Sequence, residues 1–146
     1  MEQIIFKDVN KNSESDIRML YEILKLRKFN ISHDKLPQFD EHNKFVLGNL
    51  YRVWKFIDNG SQKIGTFYIT CENVVSISLI VPNKKIYISA ISKILEKYKP
   101  LKEKKSIRSK YFLFNSNPDN KEYIQALESL KIVHIQNTYA FKNRPL

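Results

Sequence analysis

The run Val74 to Val81 (VVSISLIV) passes through Pro82 directly into a segment whose apolar residues Ile91, Ile94, Leu95 and Tyr98 follow helical spacing, and another short apolar run stands at Tyr111 to Phe114. Strand, helix, strand in succession makes the two strands parallel when they share a sheet, because the crossover helix carries the chain back to the end where it began. Upstream the pattern is antiparallel. Tyr51 to Ile57 is aromatic and β-branched, Asp58-Asn59-Gly60 is a turn signal, Lys63 to Cys71 supplies a second arm, and Glu72-Asn73 turns into Val74. One parallel pair in an otherwise antiparallel sheet is a narrow class of fold. Val74 to Val81 is nearly all apolar or small, which predicts burial on both faces.

The remaining elements follow from spacing and caps. Ile4 to Val9 alternates as a short first strand. Ser13-Glu14-Ser15-Asp16 is a capping-box pattern, and Ile17, Leu20, Tyr21 and Leu24 make an apolar stripe ending near Arg27 and Lys28. Leu36-Pro37 interrupts helix, after which Phe39, His42, Phe45 and Val46 predict a second helix closing near Gly48. Pro100 ends the crossover helix, and Lys102 to Lys105 (KEKK) reads as a solvated loop. Asn117-Pro118-Asp119 opens a last helix with Tyr123, Ala126, Leu127 and Leu130 as its stripe. Ile132 to Ile135 and Thr138 to Phe141, separated by Gln136-Asn137, predict a closing hairpin. The expected fold is α+β, a mixed and mostly antiparallel sheet with a central parallel pair and flanking helices. At 146 residues, with no linker or repeat, residues 1–146 form a single domain.

Composition narrows the function. The single cysteine, Cys71, rules out an internal disulfide framework and a cysteine-rich zinc site, and its surroundings offer no base to activate it; it reads as a buried, inert thiol. His33, His42 and His134 are scattered without carboxylate spacing, so no metal motif is present. The N-terminal stretch lacks a secretory pattern and no apolar run is long enough to span a bilayer, so a cytoplasmic protein without a membrane span is expected. The net charge of +10 suits polyanionic partners, among them nucleic acid, anionic lipid and phosphorylated small molecules, although biased Lys, Asn and Ile usage produces the same charge. No helix-turn-helix, zinc-finger or RNA-binding signature supports base readout.

The order of elements, together with Asn120 followed by a helix and Leu130-Lys131-Ile132, resembles the GCN5-related N-acetyltransferase (GNAT) family. There a strand-end Asn precedes a helix and Leu-Gly-Phe, so that Lys131 and Ile132 stand at the Gly and Phe positions. The resemblance extends to Val74–Pro82 and its following helix, at the family's central strand and CoA-binding helix. It implies acetyl-CoA as acyl donor, lying in an opening between two splayed parallel strands, with transfer to a small-molecule amine acceptor. The segment from His33 to Arg52 faintly resembles members that acetylate amino sugars on nucleotide carriers.

By that resemblance, cofactor contacts fall on Leu79, Ile80 and Val81 at the strand end, on Lys84, Lys85, Ser89 and Ala90 at the helix start, and on Asn115 and Asn120. Lys85 to Ala90 departs from the family in having no glycine at the phosphate turn, leaving lysine charge and the Ser89 hydroxyl to serve it. Asn120 reads equally well as a helix cap. The base is expected at His42, which shares a helical face with Phe39, Phe45 and Val46, or at Glu72 in its turn. His33, Arg52 and Trp54 are expected on the acceptor side. The family's proton-donating tyrosine is replaced by Leu127, and Tyr123 one turn earlier reads as core. The competing function is a catalytically inactive module of the same fold whose basic surface meets nucleic acid or an acidic protein; self-association is open in either case.

Overall fold

The computed structural model describes residues 3–29, 35–48 and 50–142. Among them the chain runs β1 (Ile5–Asp8), α1 (Glu14–Leu26), α2 (Phe39–Leu47), β2 (Val53–Asp58), β3 (Lys63–Ile69), β4 (Val74–Leu79), α3 (Lys84–Lys97), β5 (Leu113–Phe114) and α4 (Lys121–Ser129). The sheet order is β1-β2-β3-β4-β5. The first three pairings are antiparallel and β4–β5 is parallel, as the strand-helix-strand succession requires.

Three expectations are corrected. Ile132 to Phe141 forms no hairpin; Val133, Ile135, Tyr139 and Phe141 are exposed and the segment adds no strand. The parallel pair therefore lies at an edge of the described sheet rather than at its centre. Turn chemistry and alternation are both present there, but the segment buries almost none of its apolar side chains and finds no strand partner among the described residues. Finally, β4 is not buried on both faces. It alternates: Val75, Ile77 and Leu79 are buried, while Val74, Ser76 and Ser78 are partly exposed. The two serines at i and i+2 mark the half-open face.

The sheet separates two apolar cores, one under each pair of helices. Val75, Ile77 and Leu79 pack with Phe67 and Ile69 against Tyr87, Ala90, Ile91 and Ile94 of α3 and Tyr123 and Ala126 of α4. On the other face Ile17, Leu20 and Ile23 of α1 and Val46 of α2 close over Phe56 of β2. Ile23, outside the expected stripe, is fully buried, and Leu95, expected on the stripe of α3, is 39% exposed; the inward face of α3 starts one turn earlier, at Tyr87.

The caps follow the sequence closely. Ser13 Oγ accepts from the Asp16 backbone N–H at 3.3 Å, and the Asp16 carboxylate accepts from the Asn10 N–H at 2.8 Å, so the box closes three residues further back than its simplest form. Asn83 and Asn120 cap α3 and α4 through their side-chain oxygens. Lys131 has φ of 62° just past α4, the left-handed conformation that usually falls to glycine after a helix.

The turn between β3 and β4 contains the most heavily engaged polar group of the core. Asn73, fully buried with φ of 66°, donates through Nδ2 to the carbonyls of Leu101 and Ser109 at 2.9 and 2.8 Å, and its Oδ1 accepts from the Leu101 N–H at 2.8 Å. Its own carbonyl accepts from Leu113 N–H at 2.9 Å. One side chain thus fixes the α3–β5 connection, and its backbone starts the parallel pair.

Candidate functional site

The parallel pair is two residues long. Val74 pairs with Leu113 and Val75 with Phe114, and then the strands part. β4 continues through Leu79 hydrogen-bonded to β3 alone, while the chain after β5 turns away at Asn115-Ser116-Asn117 toward the α4 cap. Strand pairing alternates direction: the Val74 carbonyl and the Ile80 N–H both point to β3, so the N–H and C=O of Ile77 and Leu79 point to the opening.

A cleft occupies this opening and is lined from both faces of the sheet. From the α3/α4 layer come Tyr87, Asn120 and Tyr123; from the other face come Tyr68, Ser76 and Ser78. Arg27 and Phe29, just past α1, close that side, and Asn115 to Asn117 form the wall opposite β4. Asn120 links wall to floor: its Oδ1 accepts from Tyr123 N–H and its Nδ2 donates to the Tyr87 hydroxyl, each at 3.2 Å. Burial pushes the Tyr87 phenol up, against the hydrogen bonds from Asn120 and the Leu79 backbone. Burial likewise raises the Tyr123 phenol far above its ordinary range, and the neighbouring Tyr87 adds to this. The Tyr123 hydroxyl is buried and has no hydrogen-bond partner. Of the five buried side-chain atoms without a partner among the described residues, it is the one that belongs to the cleft lining.

Comparison with protein-family models, with curated proteins and with solved structures gives no match.

Of the residues singled out in the sequence, the cleft gathers Leu79, Asn115 and Asn120. Ile80 packs on the α1/α2 cluster and Val81 is exposed. Lys84 and Lys85 stand exposed in the first turn of α3, beside the cap in which Asn83 Oδ1 takes the Ile86 N–H at 3.0 Å. Ser89 and Ala90 are buried on the inner side of α3, away from the cleft lining, with the Ser89 hydroxyl unpartnered. Glu72 is exposed in the turn before Val74, at the opposite end of β4 from the cleft. Arg52 donates to the Lys99 carbonyl at 2.9 Å, beyond the C-terminal end of α3, and does not line the cleft. Trp54 packs edge-on against Phe45 and Tyr51, one ring removed from the cleft through the Tyr51–Tyr68 stack at 3.7 Å. His33 lies outside the described residues. Cys71, expected to be buried, is exposed. Among the described residues no group of three His, Cys, Asp or Glu side chains is arranged for a metal ion, and no helix is long and apolar enough to cross a membrane.

His42 points inward as its helical face predicts, but to the α1–α2 contact and away from the cleft lining. Its Nε2–H donates to the Ile17 carbonyl at 3.3 Å, between the rings of Tyr21 and Phe39. Burial lowers its pKa below 6.5, partly offset by that carbonyl. The unfolded chain therefore binds the proton first, so the contribution to stability is complete above about pH 6.5 and is lost as pH falls toward the folded value. Thermal unfolding followed from pH 7 to pH 5 should show a falling midpoint in the wild type and a flatter profile in His42→Gln; equal slopes would remove His42 as the cause.

Sequence reasoning missed Arg27, Tyr68, Ser76, Ser78 and Tyr87. The serine pair in VVSISL was a readable signal of an open face. Arg27 carried none, because the end of a helix does not announce which distant strand its last side chain will reach.

Proposed function

We propose that the protein is an acyl-CoA-dependent N-acetyltransferase of the GNAT type, acting on a small amine. The observation that carries this assignment is the parting of β4 and β5 after two paired residues, with the Ile77 peptide group facing an opening lined from both sheet faces. An extended chain bearing amides can pair with such a strand as an added strand would. The left-handed Lys131 is a second support, since it stands where the family has glycine. Acetyl-CoA held there supplies a thioester whose carbonyl carbon is open to attack by an amine nitrogen.

The residues of the chain have separate parts. The Ile77 N–H is a hydrogen-bond donor preorganised on a strand with no partner to its open side. Tyr123 keeps its proton at neutral pH, because burial makes it a weaker acid, and presents its O–H as a fixed hydrogen-bond donor one turn before Leu127. Asn120 holds the first turn of α4 and the Tyr87 ring in one arrangement. Tyr123→Phe removes an unsatisfied hydroxyl, so stability should change by no more than about 0.5 kcal/mol, whereas turnover of an acetylated amine should fall by about 100-fold. A large loss of stability with turnover intact would place Tyr123 in the core alone.

One observation favours the non-catalytic module. The first turn of α3 holds no glycine, and its Ile86 N–H is already taken by Asn83, which narrows the anion site a helix start would give. Thermal unfolding with acetyl-CoA separates the two: a ligand selective for the native state raises the midpoint in proportion to the logarithm of its concentration. No rise with acetyl-CoA, together with salt-dependent binding to a polyanion such as heparin or duplex DNA, would decide for the module.

A further inference from the structure

The described arginines other than Arg27 are all engaged. Arg18 pairs with Glu14 at 3.0 Å, Arg52 donates through one Nη to the Lys99 carbonyl while its other Nη is buried without a partner among the described residues, and Arg108 donates to the carbonyls of Lys102 and Cys71. The Arg27 guanidinium has no carboxylate at ion-pair distance and no hydrogen-bond acceptor among the described residues. It lines the cleft together with Ser76, Ser78, Asn115 and Tyr68, and Tyr68 is stacked on Tyr51. It is half-buried, and burial outweighs the two tyrosines in setting its acidity, bringing its pKa below the ordinary arginine value.

Half-buried and with no carboxylate beside it among the described residues, the planar fork keeps its five N–H donors available to a ligand in the cleft. The α1 end places Arg27 there: its backbone N–H caps the helix on Ile23 O while ψ of 142° sends the chain out of the helix. The serine hydroxyls and asparagine amide that line the same cleft carry no charge of their own. A guanidinium fork of this kind holds an oxyanion in two parallel hydrogen bonds.

We propose that Arg27 binds the carboxylate or phosphate of the molecule that enters the cleft from the α1 side. Resting on the transferase assignment above, that molecule is the amine acceptor, which makes Arg27 the residue that selects anionic amines. Ser76 and Ser78 add hydroxyl contacts on the same side, and Tyr123 lies on the opposite side, so the anion is held away from the buried phenol.

Three amines of one skeleton test it: 2-aminoethyl phosphate, β-alanine and ethanolamine, titrated without acetyl-CoA while the Arg27 Nε–H signal is followed by nitrogen-15 NMR. One of the two anionic amines should shift that signal and bind at least about tenfold tighter than ethanolamine, and which of them does so names the oxyanion. The preference should shrink to within about twofold in Arg27→Gln, be partly retained in Arg27→Lys, and survive in Lys84→Gln/Lys85→Gln. Equal binding of the three amines to the wild type overturns the proposal whatever the variants do, and so does a preference that persists in Arg27→Gln. An Arg27-dependent preference in a protein whose melting temperature ignores acetyl-CoA upholds the oxyanion site and removes the transferase assignment instead.

Discussion

Asn73→Ala is expected to destabilise the protein by about 3–5 kcal/mol, the sum of lost hydrogen bonds and of buried polar groups left without partners. The Leu101 N–H and the carbonyls of Leu101 and Ser109 all lose their contact at once. Asn73→Gly tests the origin of the loss. Glycine suits the left-handed φ of 66° better than alanine does, so it recovers the backbone part and none of the hydrogen bonding. Asn73→Asp should be as damaging as alanine, because a carboxylate would face two carbonyl oxygens where the amide now donates. Urea unfolding of the three variants measures this, and a loss below about 1 kcal/mol in Asn73→Ala would show that the connection from α3 to β5 is held by other contacts.

Gly65→Ala comes next, with an expected cost of about 3 kcal/mol from overpacking. A Cβ at residue 65 would stand 2.3 Å from the Ser78 carbonyl oxygen and 2.8 Å from the Leu79 Cδ2. The first neighbour is backbone, so no rotamer change relieves it, and β3 must move away from β4 where the register brings Gly65 opposite Leu79. That is the cleft end of β4. The substitution should therefore lower the unfolding midpoint by several degrees and weaken acetyl-CoA binding together. An unchanged midpoint would mean that the strands separate here without resistance.

The elements were legible where local chemistry and long-range packing agree. The crossover helix between two runs of strand fixed the parallel pairing, and the Asp58-Asn59-Gly60 turn fixed the β2–β3 hairpin, where Asp58 accepts from Gly60 N–H at 2.7 Å. Legibility failed where the same local signal serves two environments. Ile132 to Phe141 alternates like a strand, yet remains without a ladder among the described residues. His42 lies on an inward face, but inward there leads to Ile17 rather than to the cleft. Asn120 was found because a cap and a site wall coincide in one residue, whereas Arg27, Tyr68 and Tyr87 meet only through tertiary contacts between segments distant in the chain. Asn73 looked like an ordinary turn residue, since nothing near it in sequence shows that residues 101 and 109 will come to its amide.

The parting of β4 from β5 is tested most directly by a nitrogen-15 backbone spectrum titrated with acetyl-CoA. The amides of Ile77, Ser78 and Leu79 should shift together with those of Asn115 to Asn120, the Ile77 signal moving downfield as its N–H gains an acceptor, and the Glu72 and Asn73 amides should stay in place. Shifts confined to the exposed lysines of α3, or none at all, would contradict the account.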